Sequence, residues 1–355
     1  MRLVSNTHSS FRGLQDDEHE FSNINIVLGN NGEGKTSLLE SVYVSMLGTP
    51  LNSFTKAGRE LSRNNEGRFS SESKVIDQRG NTTRYKFSST NNGRKHLTDD
   101  TKTTIRDAYL STPVCLIDSN IEKIASESPD YRRKLIDRSA FHVEPEHSES
   151  YRKLQKAIKQ RNRAIKNGDT ISVVKTWDKT ISKEGEKITE NRKSFIEELQ
   201  VELSLIQKEI SKREIKIEFR CGWGEGKLSD YLEKNIKRDV AANRTMGGPH
   251  RADMLVTLDG KSAKEFSSKG EEKQMSLTVS FGISSLIEKK TGALPMLLID
   301  ELESGLDESA LVRISEYIKN LKNQSLITAL NHHKITEMLE AKTILPKQYN
   351  CLNLL

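Results

Sequence analysis

Residues 29–36 read GNNGEGKT and fit the phosphate-loop pattern G-x-x-x-x-G-K-[ST]. Glycines in such a loop let backbone N–H groups curl around the β- and γ-phosphates of a nucleotide. Lys35 neutralises those phosphates, and the Thr36 hydroxyl is placed to ligate Mg²⁺. Gly29, Asn30, Asn31, Gly32, Glu33, Gly34, Lys35 and Thr36, with Ser37 beside them, therefore form a candidate ATP site. Far downstream, LPMLLIDELESGLD at 294–307 is an apolar run ending on two acids. Asp300 is suited to hold Mg²⁺ through water, and Glu301 to polarise an attacking water as general base. Together the loop and the acids point to hydrolysis of ATP as well as binding, with Glu301, Asp300 and Lys35 as the catalytic candidates.

A further turn, Ser268-Lys269-Gly270, opens another stretch of helical pattern. A helix start offers free N–H groups and the positive end of the dipole, so it too suits an anion. One ATP-sized site has no evident use for two such turns so far apart.

The elements that must position these residues follow from pattern. The first 28 residues alternate like strands and end in the buried-strand run Ile24-Asn25-Ile26-Val27-Leu28. After the loop, residues 37–47 predict a helix with an apolar stripe. Residues 58–104 are polar, with short strands at 74–76 and 83–87 and a turn at Asn92-Gly93. Residues 113–117 predict another strand. From Ser128 the chain turns helical, with an N-cap serine, Pro129 at the first helical position and Asp130 in the first turn. Helix continues through 151–166 and 186–210, where Phe195, Leu199, Leu203, Ile206 and Ile210 mark one buried face. Strands and helices return after about 245, with 294–299 as a buried strand. The expected architecture is α/β, interrupted by a mainly helical insertion.

The 355 residues are long enough for one large or two modest domains. Charged residues make up 30% and mean hydropathy is −0.64, and no apolar run approaches the roughly 20 residues of a membrane span. Three scattered cysteines, Cys115, Cys221 and Cys351, suggest neither a metal pair nor a disulfide framework. A cytoplasmic protein without a membrane partner is the expectation. The net charge of +6 is concentrated: residues 151–216 carry 17 Lys+Arg against 10 Asp+Glu. Between Arg152 and Lys166 there are seven basic residues and no acid. In a helix Arg152, Lys156, Lys159 and Arg163 share one face, with Tyr151, Leu154, Ile158 and Ile165 on the other. Such a stripe is a candidate DNA contact, sequence-blind and salt-sensitive; a solvated helix face is the alternative.

In order and spacing these motifs resemble ABC-type ATPases, with Ser268-Lys269-Gly270-Glu271 as signature turn and Ser304-Gly305-Leu306-Asp307 as D-loop. The resemblance implies that Ser268 and Gly270 cap ATP held by a second subunit. It also places His332, or His333 beside it, as a γ-phosphate sensor and Asp307 near the nucleotide. A loop near residue 29 and an insertion without a coiled-coil hook narrow the likeness to compact SMC-like ATPases. Phe11-Arg12, residues 34–40 (GKTSLLE), 128–137 (SPDYRRKLID), 159–162 (KQRN) and 248–253 (GPHRAD) resemble the RecF family of bacterial gap-repair ATPases.

That family implies an ABC-type P-loop ATPase head. Lobe I would be 1–115 and 285–355, with mixed sheets around the loop helix. Lobe II would be 116–284, mainly helical, with the signature at 268–274. It further implies an ATP-dependent homodimer that binds DNA at single-strand gaps and single-strand/double-strand junctions. A slow, DNA-stimulated ATPase using Mg²⁺, and cooperation with RecR and RecO in loading RecA, complete the expectation. Departures are Glu271, where the family usually has Gln, Asn331 where an acid is often found, and Glu301 where many relatives have a second aspartate. An acid at 271 repels a triphosphate, so ATP-driven pairing is expected to be weaker or slower. Another compact SMC-like ATPase, a small-molecule kinase and a transporter ATPase are the alternatives.

Overall fold

The structure is a computed structural model, and it describes residues 1–51, 59–77, 79–118, 124–330 and 333–348. The chain divides into two compact units. Met1–Glu122, Glu209–Ser211 and Lys269–Leu355 form the first; Lys123–Lys208 and Lys212–Ser268 form the second. Residues 269–284, expected in the helical insertion, thus lie in the first unit. The reason is packing: the helix Lys269–Thr291 buries Met275, Leu277, Val279, Phe281 and Ile283, and the Cys115 thiol reaches the Ser280 carbonyl from a strand of that unit.

Two sheets build the first unit. One is parallel, in the order β14 (Lys342–Ile344), β3 (Ile24–Leu28), β13 (Ser325–Ala329), β12 (Met296–Ile299), β8 (Val114–Ile117). All residues of β12 and β13 are buried, as expected of strands covered on both faces. β13 pairs with β3 on one side and β12 on the other, Ile327 facing Ile26 and Ile299. The loops leaving β3 and β12 therefore emerge at the same carboxyl edge, on either side of β13. Open α/β sheets bind ligands in that kind of crevice.

The other sheet is antiparallel, in the order β2 (Asp17–Glu20), β1 (Arg2–Ser9), β4 (Phe69–Ile76), β5 (Thr82–Thr90), β6 (Gly93–Thr98), β7 (Thr101–Lys102). Between the sheets runs the helix Lys35–Leu47. The pattern predicts an apolar stripe, yet every residue from Leu38 to Leu47 is buried. Its core joins Leu298 and Leu326 of the parallel sheet to Phe69, Val75, Tyr85 and Phe87 of the antiparallel one. The polar residues of this helix are buried because they meet polar partners. Ser41 Oγ donates to Asn6 Oδ1 (2.8 Å), Ser45 and Ser73 share a hydrogen bond (2.7 Å), and Asn6 Nδ2 donates to Ser71 and Ser73 (3.0 Å each).

The second unit holds three long helices, Pro129–Val143, Pro145–Asn167 and Asp178–Ile206, and a small antiparallel sheet. Its strands lie in the order β11 (Lys261–Ser262), β10 (Asp253–Leu258), β9 (Ile215–Arg220). Ser128 caps the first helix, its hydroxyl accepting from the Tyr131 N–H. The stretches at 128–137, 159–162 and 248–253 lie here, and charged residues from each are paired. Arg132 grips Asp253 with two hydrogen bonds (2.8 and 3.0 Å). Arg192 grips Asp137 in the same way (2.8 Å twice) and donates to the Pro249 carbonyl (2.7 Å). Arg161, fully buried, donates to Asp178 (2.7 Å) and Asp239 (2.6 Å), and Asn162 accepts from the Thr245 N–H (2.7 Å). Residues of these three stretches therefore fasten helices and loops inside one unit.

Among the described residues no helix is long and apolar enough to cross a membrane.

Burial by itself would raise the Asp137 carboxyl, but the Arg192 guanidinium and the His147 hydrogen bond outweigh it and hold the carboxyl below its ordinary value. Removing one partner strands the other charge in the core, which costs about 3–5 kcal/mol. Arg192→Met is expected to lose that much stability in denaturant titration at neutral pH. Asp137 stabilises the fold fully above the ordinary carboxyl range and ceases to do so as pH falls through its lowered value. The gap between variant and wild type should therefore narrow in acid.

Candidate nucleotide site

Gly32 and Gly34 take left-handed backbone angles (φ 84° and 86°), and Gly34 is the residue from which the loop enters the helix Lys35–Leu47. A Cβ on Gly34 would lie 2.6 Å from Leu14 Cδ2 and in a conformation side chains avoid, so glycine is required twice over. The Lys35 side chain is buried, and its ammonium donates to the carbonyls of Gly29 (2.8 Å) and Asn30 (2.9 Å), across the loop. Glu33 accepts from the Asn30 N–H (2.6 Å) and side-chain amide (2.9 Å), and these bonds hold its carboxyl below the ordinary range.

Asp300 follows β12 and meets the loop helix across the sheet. Thr36 Oγ1 lies 3.0 and 3.1 Å from its two carboxylate oxygens, although the residues are 264 apart in sequence. From the strand between them, Thr328 Oγ1 donates to Asp300 (2.6 Å) and accepts the Glu301 N–H (2.8 Å). Burial raises the Asp300 carboxyl above its ordinary value, the two threonine bonds oppose this, and the neighbouring Glu301 and Asp118 charges add to it. Glu301 itself sits at φ 50°, a sparsely populated conformation for a residue with a side chain.

A cavity of about 260 Å³ lies over this constellation, lined by Gly13, Asn31, Gly32, Gly34, Lys35, Thr36, Ser37, Glu301 and Gln348. It brings the loop and the general-base candidate to one space. The donor set fits a nucleotide with a hard divalent cation. A buried carboxylate and a hydroxyl converge, and the carboxyl's raised value marks a negative charge with too little compensation. Thr36 and Asp300 would hold Mg²⁺.

The remaining candidates are spread more widely. Gly270 packs against the D-loop, where a Cβ would come within 2.9 Å of the Gly305 carbonyl oxygen. Ser268 is exposed and belongs to the second unit. The Asp307 carboxylate caps the helix Glu308–Asn320, accepting from the Ala310 N–H (2.8 Å) and from Ser309 (2.8 Å). Gly270 and Asp307 lie outside the lining of the cavity. His332 and Asn331 fall outside the described residues, as does the side chain of His333. On the helix Pro145–Asn167, Arg152, Lys156, Lys159 and Arg163 are exposed while Leu154, Ile158 and Ile165 are buried and Tyr151 is half-buried. Two of the seven basic residues there are engaged within the unit: Arg161 in the core, and Lys153 with Glu149 (2.8 Å). Sequence reading overlooks Thr328, Gly13 and Gln348. Thr328 alone carries a signal, as the one hydroxyl-bearing residue inside the apolar run LITAL.

No family model matches the chain. Curated relatives match it over more than nine tenths of its length. The "DNA replication and repair protein RecF" of Coxiella burnetii (strain Dugway 5J108-111) is 27% identical over 335 residues, 92% of each chain. RecF of Aliivibrio fischeri (strain ATCC 700601 / ES114) is 28% identical over 352 residues, 95% of this chain and 94% of its own. Among solved structures, the recombination mediator protein RecF with ATP superposes with a TM-score of 0.84 at 23% identity, over 93% of this chain and 92% of that one. An SMC head bound to the C-terminal winged-helix domain of ScpA gives 0.58 at 14% identity, over 98% and 96%. The resemblance to RecF thus extends over more than nine tenths of the chain, and the fold is the one that RecF and the SMC head share.

Because Asp300 carries a charge its surroundings disfavour, the nucleotide-free fold gains when that charge is removed, as it would when pH falls through the raised carboxyl value. Asp300→Asn is expected to raise the melting temperature without nucleotide by a few degrees. It should also abolish the further rise that Mg²⁺-ATP gives the wild type, in the same thermal scans.

Proposed function

We propose that this chain, similar to RecF over nine tenths of its length, is a RecF-type ATPase: an ATP-gated, DNA-binding protein of recombinational repair and replication restart. The observation that carries the reading is the contact of Asp300 with Thr36, which lines one cavity together with Lys35 and Glu301.

In this scheme the loop 29–36 and Ser37 receive the triphosphate of ATP. Lys35, held against its own loop, presents a fixed positive charge to the β- and γ-phosphates. Thr36 and Asp300 would hold magnesium, which would supply positive charge to the phosphate oxygens. Glu301 holds the attacking water and accepts its proton. Asn31, Gly32 and Gly34 wall the site on the phosphate side.

The exposed Ser268 and the Gly270 turn serve the ATP of a second copy, which ties nucleotide to dimer formation. Asp307, next to that turn's partner loop, and His332 complete the composite site. The dimer closes on DNA through the exposed cations of the helix Pro145–Asn167, and hydrolysis reopens it. Binding of this kind reads phosphates, as suits a protein acting at single-strand gaps and junctions of any sequence. RecR and RecO are the partners, loading of RecA the outcome, and the cytoplasm the compartment. Turnover is slow and stimulated by DNA, and the Glu271 carboxylate at the signature turn weakens or slows ATP-driven pairing.

Glu301→Gln is expected to accumulate an ATP-bound dimer in sedimentation, while wild type cycles back to monomer. A strictly monomeric variant at saturating ATP contradicts the scheme and favours a small-molecule kinase. Replacing Lys156, Lys159 and Arg163 with Glu should weaken binding to gapped DNA. It should also flatten the dependence of log K on log salt by about 0.9 for each phosphate no longer neutralised. ATP binding by the monomer should be unchanged; unaltered DNA affinity removes this helix from the interface.

A further inference from the structure

Lys273 is among the largest side chains that are completely buried, at 1% exposure. It lies on the helix Lys269–Thr291, one turn after the Gly270 turn, and its ammonium donates to the main-chain carbonyl of Glu301 at 3.0 Å. A buried ammonium costs several kcal/mol unless acceptors compensate it, so its retention beside the general-base candidate calls for a role.

Glu301 needs such a hold. Its φ of 50° is disfavoured for any residue with a Cβ, and such a conformation persists only where the surroundings determine it. Two sets of hydrogen bonds do so from opposite ends of the residue. The Glu301 N–H is fixed by Thr328 Oγ1 (2.8 Å), and its carbonyl receives Lys273 Nζ together with the Ser304 N–H (3.1 Å). With both main-chain groups fixed, the side chain is directed to the cavity that Lys35 and Thr36 line. The same helix approaches the D-loop at Gly270, where a Cβ would lie only 2.9 Å from the Gly305 carbonyl oxygen. The signature helix and the turn bearing Glu301 thus touch at two points.

We propose that Lys273 is a positioning residue for ATP hydrolysis, its ammonium holding the Glu301 main chain in the left-handed conformation that turns the carboxylate toward the nucleotide. Movement of the signature helix then acts on the general base through Lys273. The inference rests on the ATPase reading above. Failure of that reading is separable, because wild-type protein would then neither bind nor hydrolyse ATP before any variant is compared.

The test compares Lys273→Met, which removes the ammonium at similar volume, with Lys273→Gln, a neutral donor, so that loss of fold in one leaves the other. Each is assayed for kcat and for affinity toward a fluorescent ATP analogue, after thermal unfolding shows it folded. The kcat is expected to fall at least 10-fold, within the roughly 100-fold that displacing a reacting group by about 1 Å can cost. Affinity should change less than 3-fold, and Lys273→Arg, which keeps a cationic donor, should recover part of the rate. In a Glu301→Gln background, Lys273→Met should lower the residual rate by less than 2-fold. A wild-type rate in a folded variant, a parallel fall in rate and affinity, or the full 10-fold effect in the Glu301→Gln background would overturn the proposal.

Discussion

The contact between the Thr36 hydroxyl and the Asp300 carboxylate is what the rest of the first unit is arranged to produce. It joins the end of one parallel strand to the start of the helix that follows another, with β13 between them. Both partners are short side chains, so a slip of one residue in either strand register would separate them. The registers are held by complete burial of β12 and β13, which leaves no face along which a strand can shift without exposing apolar side chains. Thr328 then links the two halves, because one hydroxyl both donates to Asp300 and accepts from Glu301.

The same economy of position explains the loop helix. Enclosed by two sheets, it has no solvent face to absorb error, and its serines are satisfied by Asn6 and by serines of β4. Unsatisfied, those groups would each cost about 1–3 kcal/mol. Matched, they specify which strand lies over which turn of the helix. This orients the first turn, where Lys35 and Thr36 begin.

The second unit is organised by charge rather than by strand burial. Three arginines, Arg132, Arg161 and Arg192, are each at least 95% buried and each is paired with aspartate. Buried ion pairs add little net stability over apolar packing, but they tolerate few alternative arrangements. That accounts for why the stretches 128–137, 159–162 and 248–253, which carry part of the RecF resemblance, serve as internal fasteners. It also leaves Arg152, Lys156, Lys159 and Arg163 of the helix Pro145–Asn167 exposed on its surface.

Much of this is legible in the residues themselves. The phosphate loop, the acidic strand end, the N-cap at Ser128 and the amphipathic helix at 151–166 follow from local rules, since glycine conformation, capping and helical periodicity act over a few residues. The long antiparallel strands show in the sequence only as fragments, because Ser71, Ser73 and Ser89 occupy buried positions and hide the alternation. The loop helix reads as one-sided, because its buried serines and Glu40 look like a solvent face until their partners are known. Assignment of residues 269–284 to the first unit, the place of Thr328 between the acids and the loop, and the burial of Lys273 against Glu301 depend on segments distant in sequence coming together. Short-range preferences carry no information about which strands become neighbours; the closing of the parallel sheet decided that.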